Sequence, residues 1–298
     1  MENRINEVCI QCRWNKYVKV ADVLNGEMKE NYLSDLKDVF DNIPDGIMAG
    51  QIIDPMKQKY PELFKEMDYS QIKKKYNDLI SGYQDEINQK IQHCQDQLAE
   101  AIKYSIVGNY IDFTAIYDVS DDILQQMIES VSQQQLNPQV YQSLCDDLQT
   151  CKKMTFISDN CGEIVLDKIL IQTIQRFYPD IEITLMVRGA EVVNDASMVD
   201  AKQVGIDKIC KVIGNGNNIA GTIMNKLSEE ALQCLNESDV IIAKGQANIE
   251  SLIDCDMNIY YLLLCKCAYI AQKYDAVEMS GFICSEKLRQ KKKKEGNI

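Results

Sequence analysis

From Gln71 to Ile106 the apolar residues Ile72, Tyr76, Leu79, Tyr83, Ile87, Ile91, Cys94, Leu98 and Ile102 recur at every third or fourth position. That spacing gathers them on one stripe of an α-helix, with polar residues filling the other faces. Shorter helical patterns flank Pro44, Pro55 and Pro61, where a ring lacking an N–H interrupts the periodicity. The texture changes at Met154. Short aliphatic runs, Met154 to Ile157, Ile181 to Val187, Lys208 to Ile213, Val240 to Ala243 and Ile259 to Leu264, alternate with helical stretches such as Ile164 to Phe177 and Ser228 to Leu235. A strand buried on both faces reads as a continuous apolar run, and its alternation with helices is the signature of parallel β-α-β units. The pattern predicts an α/β fold of three layers, with a doubly wound, mostly parallel sheet and an N-terminal helical subdomain. The expected boundaries are a helical subdomain over 1–107, an α/β domain over 108–286 and a solvated basic tail over 287–298, which includes the run Lys291 to Lys294.

Composition narrows the function. A hydrophobic share of 46% with 26% charged residues is that of a chain that folds. A net charge of -13 gives no field that would gather nucleic acid phosphates, so nucleic acid is not an expected partner. The 12 cysteines are scattered and the opening MENRINEVCIQC has no secretory pattern. They read as reduced thiols of a cytoplasmic protein. No apolar run approaches the roughly 20 residues that cross a bilayer, so no membrane span is expected. The single histidine, His93, lies among Gln92, Gln95 and Asp96 and reads as a partly exposed helix residue. Histidine-rich zinc sites and a Ser-His-Asp triad built elsewhere are thereby excluded.

The chemistry concentrates behind the strands. Ser158-Asp159-Asn160-Cys161-Gly162-Glu163 follows the first predicted strand and precedes a helix, which is where open α/β sheets bind ligands. A carboxylate beside an amide carbonyl supplies two hard oxygens suited to a divalent cation, and the helix start offers backbone N–H groups near Gly162 to an anion. Helix capping by Asp159 or Asn160 is the competing structural role. A second cluster follows the next strand: Arg188-Gly189, then Val193-Asn194-Asp195-Ala196-Ser197, where Asp195 completes an oxygen set with Asp159 and Asn160. A third is Lys244-Gly245-Gln246-Ala247-Asn248-Ile249-Glu250, in which lysine suits a phosphate oxygen and Gly245 permits close backbone approach. Gly214-Asn215-Gly216-Asn217-Asn218 lacks the third glycine of a dinucleotide loop and reads as a flexible turn near the pocket mouth. Cys9 and Cys12 form a lone pair of thiols, short of a four-ligand zinc site, and read as helix residues packed beside Trp14.

The segments SDNCGEIVLD, VVNDASMVDA and IIAKGQANIE, in that order, resemble the damage-control phosphatases, a metal-dependent family first catalogued as a domain of unknown function. Gly108-Asn109-Tyr110-Ile111-Asp112 and Cys9-x-x-Cys12 resemble its stand-alone microbial-type branch, and the likeness runs from Cys9 to about Gly281. The resemblance implies a divalent metal (Mn²⁺, Ni²⁺, Co²⁺ or Mg²⁺) held by Asp159, Asn160 and Asp195, with Lys244 as the phosphate-binding residue. Gly162, Glu163, Asn194, Gly245, Gln246, Asn109 and Asp112 are the expected contacts to the substrate. The expected activity is hydrolysis of the phosphate monoester of a small metabolite, a sugar phosphate or nucleotide, in the manner of metabolite repair. Cys161, Ala247 and Glu191 depart from the residues usual at those places, which bears on pocket shape. Two rivals stand beside it: an S-adenosylmethionine-dependent carboxyl methyltransferase, although the glycine loop it needs after the first strand is absent, and a metal-binding protein without catalysis.

Overall fold

The computed structural model describes residues 5–47, 49–64, 68–112, 120–274 and 276–294. Two compact units are present, Met1–Met67 and Asp68–Ile298. In the first, α1 (Glu7–Val18), α2 (Gly26–Asp41) and α3 (Asp54–Lys59) enclose a small core of Ala21, Leu24, Tyr32, Leu36, Ile53 and Met56. Trp14 meets Phe40 edge to face at 5.3 Å. The two thiols of α1 depart from the packed arrangement expected of them: Cys12 is exposed and Cys9 half-buried, because the helix turns that side outward.

The second unit begins at 68 rather than 108. The reason is packing: α4 (Ser70–His93) and α5 (Gln97–Gly108) lie against the helix that follows the first strand and share its core. The single helix expected over 71–106 is in fact these two. Cys94 turns extended, and the Asp96 carboxylate accepts from the Ala99 N–H at 2.9 Å, which starts α5 afresh. His93 sits exposed at the end of α4, its Nδ1 against the Gln89 carbonyl at 2.7 Å.

After α6 (Asp121–Glu129) and α7 (Pro138–Thr150) the chain alternates through β1 (Lys153–Ile157), α8 (Glu163–Phe177), β2 (Glu182–Val187), α9 (Met198–Gln203), β3 (Lys211–Gly214), α10 (Glu229–Asn236), β4 (Val240–Lys244), α11 (Gln246–Leu252), β5 (Ile259–Leu264), α12 (Ala268–Tyr274), β6 (Gly281–Ser285) and α13 (Glu286–Lys294). The sheet order is β3-β2-β1-β4-β5-β6, parallel throughout except for β6 against β5. Strand β6 carried no signal in the pattern because it is a half-buried edge of five residues, without the continuous apolar run of its neighbours. Over Glu286–Lys294 the basic segment forms a helix that is docked at its start. Arg289 reaches both Glu286 and Asp254 at 2.6 Å, and Gln290 donates to the Cys255 carbonyl at 2.8 Å. Among the described residues no helix is long and apolar enough to cross a membrane.

Side chains alternate across the sheet into two cores. Phe156, Leu185, Ile242, Tyr260, Leu262 and Leu264 face α4, α5, α7 and α8, whereas Ile157, Met186, Ile241, Tyr261 and Leu263 face α10 and α11. That alternation decides the place of Lys244. It continues the parity of Val240 and Ile242 and so enters the α5–α8 layer, fully buried. Its ammonium lies 2.5 Å from Glu163 Oε1, 3.0 Å from Asp167 Oδ1 and 2.7 Å from the Ser105 carbonyl. Three N–H groups meet three acceptors.

The cluster holds one cation and two carboxyl groups. Burial pushes the Asp167 carboxyl up to about 7 against the pull of the Lys244 ammonium, and the Glu163 charge adds to the rise. An acid whose folded pKa is raised binds its proton more tightly in the folded state. It therefore costs stability as pH climbs from its unfolded value, about 3.9, through about 7. Asp167→Asn removes that titration. Unfolding free energies from urea titrations should favour the variant over wild type by about 1 to 3 kcal/mol more at pH 8 than at pH 5. A difference independent of pH would show Asp167 ionised throughout.

Candidate active site

The strand order reverses between β1 and β4, the place where a crevice opens at the carboxyl ends of a doubly wound sheet. The loops after β1 and β2 are joined there by main chain. Asn160 and Asp195 form an isolated antiparallel bridge, in which Ala196 N–H donates to the Asp159 carbonyl at 2.7 Å and Cys161 N–H to the Asn194 carbonyl at 2.8 Å. Asp159, Asn160 and Asp195, 35 or more positions apart along the chain in the case of the last, are thus brought together as the sequence predicted. The turn after β4 closes the third side. Gly245 has φ +77°, and a Cβ there would stand 1.9 Å from Asp159 Oδ2, so any side chain would collide with the carboxylate.

Polar contacts fix each group. Asp159 Oδ2 accepts from Asn109 Nδ2 at 3.0 Å and from Asn160 Nδ2 at 2.8 Å. Arg188 donates from Nε to Asp195 Oδ2 at 2.6 Å and from Nη1 to the Gly221 carbonyl at 2.8 Å. Its Nη2 is buried without a hydrogen-bond partner among the described residues and lies 3.8 Å from Asp159 Oδ1. The remaining carboxylate oxygens, Asp159 Oδ1 and Asp195 Oδ1, accept no hydrogen bond among the described residues. Burial raises the Asp159 carboxyl, and repulsion from Asp195, Glu163 and Asp112 raises it further, with Lys266 opposing. Burial also raises Asp195, against the pull of Arg188. Two carboxylates forced together in a dry place, each with an oxygen left over, form a site that favours added positive charge.

Several residues expected to touch substrate have polar atoms engaged within the protein. Glu163 is fully buried, with Oε1 on Lys244 and Oε2 accepting from Asn109 Nδ2, Asn160 Nδ2 and Asn160 N–H at 3.0 to 3.1 Å. Asn109 accepts from Leu264 N–H at 3.1 Å while its amide serves Asp159 and Glu163. Asn194 Nδ2 donates to Asn160 Oδ1 at 3.0 Å and to the Ile111 carbonyl at 2.9 Å. The Gly162 N–H, expected to face an anion, donates to Asn77 Oδ1 at 2.6 Å. Gly162 has φ +69° and packs against Ile111 and Tyr76, which a Cβ would strike. Asp112 Oδ2 is held by Lys266 Nζ at 2.8 Å, and Gln246 Oε1 is buried without a partner among the described residues.

Four functional side chains escaped assignment from the sequence. Arg188 stood in the second cluster without a role. Lys266 stands two residues past the apolar run of β5, much as Lys244 ends that of β4, so the same strand-end signal could have found it. Lys73 and Asn77 gave no signal, because a helical polar face looks the same whether water or a protein loop covers it. Among the described residues no group of three or more His, Cys, Asp or Glu side chains is arranged to hold a metal ion. The oxygen set therefore depends on an amide, Asn160, beside two carboxylates.

A family model for the damage-control phosphatase ARMT1-like domain matches residues 5–280. An uncharacterized protein of Methanocaldococcus jannaschii is 31% identical over 284 residues, 90% of this chain and 91% of that protein. The damage-control phosphatase of Pyrococcus horikoshii is 32% identical over 185 residues, 62% of this chain and 63% of that protein. That of Archaeoglobus fulgidus is 31% identical over 221 residues, 72% and 74% of the two chains. The crystal structure of a DUF89 family protein from Pyrococcus horikoshii superposes with a TM-score of 0.74 at 24% identity, over 96% of this chain and 99% of that one, and so shares the fold. The relatives' names support a phosphatase role, and by the reach of the family model the chain belongs to the damage-control phosphatase ARMT1-like domain family.

Proposed function

We propose that the chain is a metal-dependent phosphatase that hydrolyses a phosphate monoester of a small metabolite, a sugar phosphate or nucleotide, at the β1–β4 crevice. The observation that carries this is the joining of Asp159 and Asp195 across the Asn160–Asp195 bridge, each buried and each with an oxygen that no donor claims among the described residues. Two carboxylates and an amide form an all-oxygen set that suits a hard divalent cation. Asp159, Asn160 and Asp195 would hold it, Asn160 by the second lone pair of an oxygen already facing Asn194. When bound, such a cation supplies Lewis-acid neutralisation of a phosphate oxygen.

The chain's own groups supply the rest. The Nη2 of Arg188, without a hydrogen-bond partner among the described residues, is a donor fixed beside Asp159 and available to a phosphate oxygen without reorganisation. Lys266, with Asp112 as its carboxylate partner, brings a second positive charge to the end of β5. Burial of all these side chains lowers the local dielectric and strengthens each interaction with the phosphate. Lys244 acts at one remove, holding Glu163, which in turn holds the Asn160 amide.

Chelation should abolish phosphate release from a panel of sugar phosphates and nucleotides, and added Mn²⁺ should restore it. Asp159→Asn and Asp195→Asn should each lose metal and at least about a thousandfold in turnover. Full turnover in the chelated protein or in either variant would remove the metal from the mechanism; methyl transfer without phosphate release would favour the rival enzyme class.

The two lysines separate by a second comparison. Lys266→Met should lower kcat/KM for every phosphorylated substrate alike, by about 10- to 100-fold, as expected for one charge-assisted contact. Lys244→Met should chiefly destabilise the fold, by about 3 to 5 kcal/mol, because it strands two buried carboxyl groups. A stable Lys244→Met protein with selectively lost activity would return the phosphate contact to Lys244.

A further inference from the structure

Helix α4 reaches the site by one face, and two residues a single turn apart on it grip the two loops that carry the oxygen set. Asn77 is fully buried and Lys73 nearly so. Asn77 Oδ1 accepts from Gly162 N–H at 2.6 Å, two residues past Asn160. Its Nδ2 donates to Asp200 Oδ1 at 2.8 Å and to Gln203 Oε1 at 3.0 Å. Asp200 Oδ2 accepts from the N–H and Oγ of Ser197, both at 2.9 Å, and Ser197 lies two residues past Asp195. Lys73 Nζ holds the same Asp200 Oδ2 at 2.8 Å and ties Glu191, on the approach to Asp195, at 2.6 Å.

We infer that Asn77 is a positioning residue that sets the spacing between the Asp159–Asn160 loop and the Asp195 loop, an inference that rests on the metal-site reading above. A continuous buried chain of hydrogen bonds runs from Gly162 through Asn77 and Asp200 to Ser197. The main-chain bridge fixes the two loops on one side, and this side-chain path fixes them on the other. An amide is required at 77 because it must accept from a backbone N–H and donate to a carboxylate at once. Alanine can do neither. Aspartate, of equal size, keeps the acceptor for Gly162 but sets a second carboxyl group against Asp200.

The test uses the full chain, stripped of metal, with Mn²⁺ as the probe. Calorimetric titration should show Mn²⁺ bound about 10- to 100-fold more weakly by Asn77→Ala than by wild type, the usual reach of groups that hold metal ligands in place. Turnover should recover towards wild type at saturating Mn²⁺, since no group that touches the substrate has changed. Amide exchange at Gly162, followed by NMR, should quicken about tenfold or more in Asn77→Ala and stay slow in Asn77→Asp. Should the alanine variant not fold, Asn77→Asp carries the test alone, with weakened Mn²⁺ binding and a protected Gly162. An unchanged Mn²⁺ Kd in a folded variant whose melting temperature alone has dropped would overturn the inference and make Asn77 a packing residue. Wild type that binds no Mn²⁺ would overturn the metal-site reading itself, a result distinct from any difference between variants.

Discussion

Everything at the carboxyl edge of the sheet depends on two main-chain hydrogen bonds, Ala196 N–H to the Asp159 carbonyl and Cys161 N–H to the Asn194 carbonyl. They turn two loops from neighbouring strands into a short antiparallel bridge, so that Asp159 and Asp195 are held by backbone rather than by flexible side-chain contacts. Two carboxyl groups gathered by backbone cannot relax apart to lessen their repulsion. The surrounding residues answer that constraint: Arg188 braces Asp195, Asn109 and Asn160 donate to Asp159, and Lys266 lies close enough to oppose the rise in the Asp159 carboxyl. Val193, a β-branched residue at φ +45° just before Asn194, shows the strain this geometry requires.

Beneath the bridge lies a second tier of polar groups that never meets solvent. Lys244, Glu163, Asp167 and Ser105 join β4 to α5 and α8, and Glu163 extends the network upward to the Asn160 amide and Asn109. A buried ionic group is costly unless every lone pair and proton is matched, and here nearly all are; Asp167 Oδ2 is left without a partner among the described residues. A carboxylate over a lysine at this depth serves as a rigid plinth for the groups above it. Pre-organisation of that kind is what lets a site act on charge without paying to reorganise itself.

The helical layer is therefore part of the site and not a separate cap. Helix α4 supplies Lys73 and Asn77, and α5 ends in the Asn109 turn that serves Asp159. Helix α8 starts at Glu163. Membership in a phosphatase family agrees with charged and amide groups gathered at the carboxyl edge of the sheet.

The sequence by itself determined the layered α/β fold, since short apolar runs alternating with helical stretches are what strands buried on both faces between helices require. It also placed Asp159 and Asn160 just after one such run and Asp195 in the loop that follows the next. Tertiary structure alone decided what those ends do. The parity of β4 sends Lys244 inward to Glu163 and Asp167, a consequence of where the strand stops rather than of which residue follows it. Asp96 divides one apolar stripe into two helices, and residue spacing is blind to a break that keeps the stripe in phase. Asn77, Lys73 and Lys266 acquire their roles from partners 85, 127 and 154 positions distant at Gly162, Asp200 and Asp112, and local patterning carries no information about contacts that only the closed fold creates.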